Sequence, residues 1–165
     1  MILLSVGTNE QPFDRLVASG AGLVGREPVV VQHGSSSLRP AGADCRGFVS
    51  FEEMEALIAG ARAVVCHAGV GSVGVALRLG RRPIVMARRH QLGEAVDDHQ
   101  VPFARRLAEA GLAVVVGDAD ELERAVAEAA PTGAILSSTA SPLALELRKY
   151  LQGPARVRRA ATTPA

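Results

Sequence analysis

Short β-branched runs alternate with segments of helical spacing along most of the chain, which is the pattern of a doubly wound α/β domain. The apolar runs predict strands over residues 2–6, 29–32, 46–49, 63–66, 84–87 and 113–116. Between them, Phe13, Leu16, Val17, Leu23 and Val24 recur at helical intervals, as do Met54, Leu57 and Ile58, then Val73, Ala76 and Leu77, then Phe103 and Leu107, then Leu122 and Val126. Gly60, Gly80 and Gly111 stand where C-terminal helix caps are expected. Leu143, Leu147 and Leu151 predict a last helix folded back over the sheet. From Gly153 the chain turns to Pro, Arg, Ala and Thr without periodicity, so it reads as one domain over residues 1–152 and a frayed tail over residues 153–165. A solvated tail is the expected state of Arg156, Arg158 and Arg159.

Composition sharpens this picture. The 165 residues are 48% hydrophobic but only 3% aromatic, so the core is built from Val, Leu, Ile and Ala, a mixture suited to helices packed on a buried parallel sheet. With 18 basic against 17 acidic residues there is no global charge, and no basic run interleaved with aromatics, to suggest a nucleic-acid partner. Cys45 and Cys66 lack metal-ligand spacing, and Cys66 closes an apolar run where a buried free thiol is expected. A reducing cytoplasm is the matching compartment. The N-terminal apolar run is too short for a signal peptide, and no apolar stretch reaches the ~20 residues that cross a bilayer. If the protein works at a membrane, something else holds it there.

In an open parallel sheet ligands bind outside the carboxyl ends of the strands, which directs attention to the residues that follow each strand. Here these are polar or glycine-rich: Gly7-Thr8-Asn9-Glu10-Gln11-Pro12 after the first, His33-Gly34-Ser35-Ser36-Ser37 after the second and His67-Ala68-Gly69 after the fourth. The fifth is followed by a long loop from Arg88 to Asp98 that ends in His99-Gln100, and long loops in compact domains are commonly functional. After the fourth strand the chain continues as Val70-Gly71-Ser72-Val73-Gly74, a glycine turn running into a helix expected to open at Gly71 and Ser72. Free backbone N–H groups at such a start suit a phosphate or diphosphate. The same glycines, Gly69, Gly71 and Gly74, spell G-x-G-x-x-G, which leaves a dinucleotide reading open. That reading expects an acidic residue at the end of the next strand, whereas Arg88-Arg89-His90 stand there and suit a 2′-phosphate instead; its usual place is also the first strand–turn–helix unit, not mid-chain. A third reading is a tight turn whose small residues serve helix–sheet packing.

Taken together, Gly7-Thr8-Asn9-Glu10-Gln11-Pro12-Phe13-Asp14-Arg15-Leu16, Gly47-Phe48-Val49 with Glu53-Met54, His67-Ala68-Gly69-Val70-Gly71-Ser72 and Gly93-Glu94-Ala95-Val96-Asp97-Asp98-His99-Gln100 resemble the C-terminal domain of glycosyltransferase family 28, in order over about residues 1–126. The likeness is greatest to single-domain members that resemble the catalytic subunit of two-part N-acetylglucosaminyltransferases and their bacterial relatives in polysaccharide assembly. The resemblance implies a Rossmann-like open parallel sheet forming the donor-binding half of a GT-B enzyme. It also implies a UDP-sugar donor, inversion at the anomeric carbon, and neither cofactor nor metal ion. The acceptor, a lipid-linked sugar, would be bound by a separate membrane-associated subunit that recruits this chain from the cytoplasm to the inner face of the membrane.

Carried over residue by residue, the resemblance puts Gly7, Thr8 and Asn9 and the segment His67, Ala68, Gly69, Gly71 and Ser72 at the diphosphate. Phe48 and Val49 match the turn beside the uracil, and His99 and Gln100 match side chains that reach the sugar hydroxyls, with Glu94 and Asp98 in the loop beside them. His67, Arg88 or His99 would stabilise the leaving UDP, and His99 is the candidate catalytic base if the partner does not supply one. Plainer readings stand beside these: His67 packed under the glycine turn, Asp97 as a capping charge, Arg88 and Arg89 in a solvated loop, and Glu10 and Gln11 at the partner interface. One departure stands out. Related enzymes place a ribose-binding glutamate a few residues into the helix, and the aligned residue here is Val75, a loss of on the order of 1.5–3 kcal/mol of donor affinity unless Glu94 or Asp98 substitutes. A non-catalytic nucleotide-sugar-binding or regulatory subunit is therefore the alternative function, and an NADP-binding domain a more distant one.

Overall fold

The computed structural model describes residues 1–129, so the helix expected on Leu143, Leu147 and Leu151, the tail, and the boundary at residue 152 lie outside the described residues. Six strands, β1 (Ile2–Ser5), β2 (Val29–Gln32), β3 (Asp44–Arg46), β4 (Ala63–His67), β5 (Ile84–Met86) and β6 (Val114–Val115), form one sheet in the order β3-β2-β1-β4-β5-β6. All its pairings are parallel, with Ile2 beside Val29 on one side and Ala63 on the other. Of five helices, α1 (Asp14–Ser19), α2 (Phe51–Gly60), α3 (Val70–Arg78) and α4 (Gln100–Glu109) make crossovers, α5 (Ala119–Glu128) follows β6, and a loop joins β2 to β3.

Alternation along the strands divides the core. Ile2, Leu4, Val29, Val31 and Val65 point to the face covered by Leu16 and Val17 of α1 and Leu122 and Val126 of α5. Leu3, Val30 and Val64 point to the opposite face, against Ile58 of α2 and Ala76 of α3, and Cys66 and Val85 meet Leu77 of α3 and Leu107 of α4 there. Both faces are apolar, which is why the strand runs read as nearly continuous hydrophobic stretches. Burial also pushes the Cys66 thiol up to about 12, so it is an inert, protonated core group.

Five strands match the sequence pattern to within one residue at each end, and the third does not. The pattern placed it over residues 46–49, yet β3 ends at Arg46. The Gly47 carbonyl leaves the ladder to accept the Gln32 side-chain amide at 2.9 Å and the Gly34 N–H at 3.1 Å, so Phe48 swings out to solvent. The apolar pair Phe48-Val49 is thus a loop, with only its hydropathy resembling a strand. The first helix is likewise split, α1 passing at Gly20 into a 3-10 turn over Gly20–Leu23. Of the expected caps, Gly80 and Gly111 adopt positive φ, while Gly60 is simply the last residue of α2, which stops at an extended Ala61.

Two loops at the carboxyl edge are fastened by arginines. Arg88, fully buried, donates to the carbonyls of Val6 at 2.9 Å, Gln11 at 2.8 Å and Glu94 at 2.8 Å, and lies 4.7 Å from the Phe13 ring centroid. Arg15 forks onto Glu94, with Nε 2.9 Å from Oε1 and Nη2 2.8 Å from Oε2. Replacing Arg15 by Met leaves the buried Glu94 carboxylate without its main counter-charge. Because Arg15 is partly exposed, the expected loss of stability in urea unfolding is about 2–4 kcal/mol, short of the full cost of breaking a buried pair. A Glu94→Gln change in the same chain should recover part of it, and a loss below about 0.5 kcal/mol would show the pair to be incidental.

Candidate functional site

The strand order reverses between β1 and β4, and the crevice outside their carboxyl ends is the topological switch point of the sheet. A cavity of about 580 Å³ opens there. Gly7, Thr8 and Asn9 line it from the β1 loop, Val49 from the β3 loop, His67 from the end of β4, and Gly71, Ser72 and Val75 from α3; Leu3, Met54, Ile58 and Val64 form its apolar floor.

The β1 loop is positioned by a buried polar network that the sequence pattern did not disclose. Ser5 Oγ donates to Gln32 Oε1 at 2.7 Å, the Gly7 N–H donates to the same oxygen at 3.1 Å, and Gln32 Nε2 donates to the carbonyls of Gly7 at 3.0 Å and Gly47 at 2.9 Å. Gln32 thereby locks the β1 loop to the β3 loop. Its only sequence signal is a polar residue closing the run Val29-Val30-Val31-Gln32.

His67 fills the space between the β1 loop and the glycine turn. A Cβ on Gly7 would sit 2.4 Å from its Cε1, and one on Gly69 would sit 2.2 Å from its Nε2, so both positions are glycine because the imidazole occupies the room. Gly7 also needs its φ of +82°. Burial, helped by the nearby Arg88 guanidinium, pushes the His67 pKa down to about 4, and its Nδ1 has no partner. The ring is neutral at physiological pH. It therefore combines the two readings of the sequence: it packs under the turn and it borders the cavity.

Helix α3 starts one residue before the expected opening at Gly71 and Ser72, with Gly69 as N-cap and Val70 as its first residue. Its first internal bond runs from the Val73 N–H to the Gly69 carbonyl at 3.0 Å, which leaves the N–H groups of Val70, Gly71 and Ser72 outside the helix ladder. Gly71 differs from its neighbours in one respect. Among the described residues a Cβ there would meet nothing within 4 Å, so none of their atoms demands a glycine at that position. Ala68, by contrast, is buried behind the turn.

The residues of the β5 loop do not join this lining. Glu94 is committed to Arg15 and, through Oε2, to the Arg89 N–H at 2.9 Å, so it does not substitute for a glutamate at position 75. Asp98 accepts the His90 N–H at 2.8 Å. Gln100 is buried, and its Oε1 accepts the Arg88 N–H at 3.3 Å. His99 is exposed at the start of α4 with its Nδ1 against the Asp97 carboxylate, and Phe48 is 63% exposed outside the lining. Arg88 is not a solvated loop residue: it is fully buried, its Nη1 and Nη2 donate to carbonyls and its Nε has no partner among the described residues, so it does not reach a leaving group or a 2′-phosphate as expected.

The fit of the imidazole between two glycines is testable. Gly69→Ala should cost about 1–3 kcal/mol of stability in urea unfolding by overpacking against the ring. In a His67→Ala background the same change should cost much less, and an undiminished cost would contradict the packing described.

Comparison with known proteins agrees with the geometry. The UDP-N-acetylglucosamine transferase subunit ALG13 of Yarrowia lipolytica is 33% identical over 76 residues, which is 46% of this chain and 37% of that protein. Among solved structures, the glycotransferase of kitacinnamycin superposes with a TM-score of 0.56 at 18% identity, and CalG4, the calicheamicin glycosyltransferase, with 0.58 at 20%. Each superposition covers 92% of this chain, and these two similarities show a shared fold. The chain spans little more than a third of the length of these three proteins, 37–38% in each case. The model of the glycosyltransferase family 28 C-terminal domain matches residues 1–146, and the chain belongs to that family.

Proposed function

We propose that this chain is the donor-binding part of a glycosyltransferase that takes a UDP-sugar and passes the sugar, with inversion, to a lipid-linked acceptor in polysaccharide assembly. The observation that carries the reading is Gly71: a residue with no internal reason to be glycine, whose N–H is free, at the mouth of the switch-point cavity. A ligand that must approach the backbone closely accounts for it, and a diphosphate is the ligand such a helix start favours.

As the bond between sugar and diphosphate breaks, negative charge grows on the leaving UDP. The N–H groups of Val70, Gly71 and Ser72 and the positive end of α3 are already aimed at it, without a metal ion among the residues' tasks. Gly7 and Thr8 close the opposite side. The neutral His67 contributes a hydrogen bond and no charge. The Asp97 carboxylate fixes the His99 tautomer by accepting from Nδ1–H, leaving Nε2 as an acceptor for a sugar or acceptor hydroxyl, the role of a general base.

The acceptor falls to a membrane-associated partner. One relative is named as a subunit of a UDP-N-acetylglucosamine transferase. Exposed Phe48, Phe51, Leu92 and Val96 all follow the carboxyl ends of strands, on the edge a second half would cover. No helix among the described residues is long and apolar enough to cross a membrane, so placement at the cytoplasmic face is assigned to that partner. Among the described residues no Asp or Glu lines the cavity, which favours one second reading, a subunit that binds the donor and leaves the chemistry to its partner.

UDP at about a hundred times its Kd should raise the melting temperature of the chain by roughly 5–10 °C, while NADPH at the same concentration should not. A shift with NADPH and none with UDP would overturn the proposal.

A further inference from the structure

Resting on the proposed donor site, we infer that this chain does not read the hydroxyls of the donor's pentose, and that it takes 2′-deoxyribonucleoside diphosphates as readily as ribonucleoside diphosphates. Val75 lies four residues after Gly71 and three after Ser72, on the same face of the helix and one turn further from its start, and it lines the same cavity. Met54, Ile58, Val64 and Leu3 line that cavity with it, so a nucleoside seated there behind a diphosphate on the start of α3 meets an apolar wall.

Among the described residues, no Asp, Glu, Lys or Arg lines this cavity. Of the polar side chains that do, Thr8, Ser72 and His67 are assigned to the diphosphate, and the others are engaged with the protein itself. Ser5 Oγ and both ends of Gln32 belong to the network that holds the β1 loop. Ser50 Oγ accepts the Glu53 N–H at 3.1 Å as the N-cap of α2, and Asn9 Oδ1 accepts the Gln11 N–H at 2.8 Å. The nearby carboxylates are engaged elsewhere, Glu53 with Arg46 and Glu94 with Arg15.

A site that hydrogen-bonds a substrate hydroxyl strongly rejects the analogue lacking it, because the site's own polar group is then left unpaired. An apolar wall leaves nothing unpaired and discriminates weakly, with any preference falling on the less polar ligand. Val75 and its neighbours are such a wall. Selection of the donor then rests on the diphosphate cradle and the base, and the pentose is held by shape.

Calorimetric titration of the full chain with UDP and with 2′-deoxy-UDP tests this. The expected dissociation constants agree within about threefold, or favour the deoxy ligand. A Val75→Glu chain, which places an acceptor one turn below the cradle, should shift the ratio toward UDP by about tenfold or more. Native chain that binds UDP about tenfold more tightly than 2′-deoxy-UDP would overturn the inference while leaving the donor site intact. An unchanged ratio in the Val75→Glu chain would overturn the role given to Val75. Failure of both ligands to bind would overturn the proposed donor site and this inference with it.

Discussion

The arrangement of the carboxyl edge depends on one buried cation. The guanidinium of Arg88 sits with no solvent exposure among the carbonyls of Val6, Gln11 and Glu94, and it lies over the face of Phe13. A charge so placed is tolerated only when hydrogen bonds replace its water. Here the acceptors come from two loops some eighty positions apart in sequence, so satisfying Arg88 means holding both loops in one geometry. Glu94, drawn to Arg15 and into the same cluster, supplies the counter-charge. The charge is also felt outside its cage. Together with burial it keeps His67, which lines the cavity, neutral.

The glycine motif divides into separate tasks once His67 is seen. Gly69 and Gly7 make room for the ring, Gly74 lies buried where α3 packs on the sheet, and Gly71 answers to nothing in the protein. Three glycines that spell a dinucleotide fingerprint therefore do not act as one unit. Of the four, Gly7, Gly69 and Gly74 serve packing of a histidine or a helix. Of the basic residues that suit a 2′-phosphate, Arg88-Arg89-His90, the first is already consumed by the fold.

What could be read from the sequence follows from the range of the interactions involved. The strands and helices were visible because β-branched runs and 3.6-residue spacing are local signals, and the switch-point site followed from topology plus the glycine turn. The β3 boundary was misplaced because the Gln32 amide draws the Gly47 carbonyl out of the ladder, a contact that hydropathy does not encode. Arg88, Glu94 and Gln100 were read toward a ligand because a charged or polar residue in a loop after a strand looks available. Their partners, Val6 82 positions from Arg88 and Arg15 79 positions from Glu94, meet them only through the sheet. Val75, the residue that departs from the expected glutamate, lines the cavity with apolar neighbours.

The central claim is that a donor diphosphate rests on the start of α3. Amide chemical-shift mapping of the full chain with UDP addresses it at single-residue resolution. The largest shifts are expected at Val70, Gly71, Ser72 and Thr8. Shifts centred instead on the groove beside α4, where Arg89 and Arg105 lie, with the α3 amides unmoved, would contradict it.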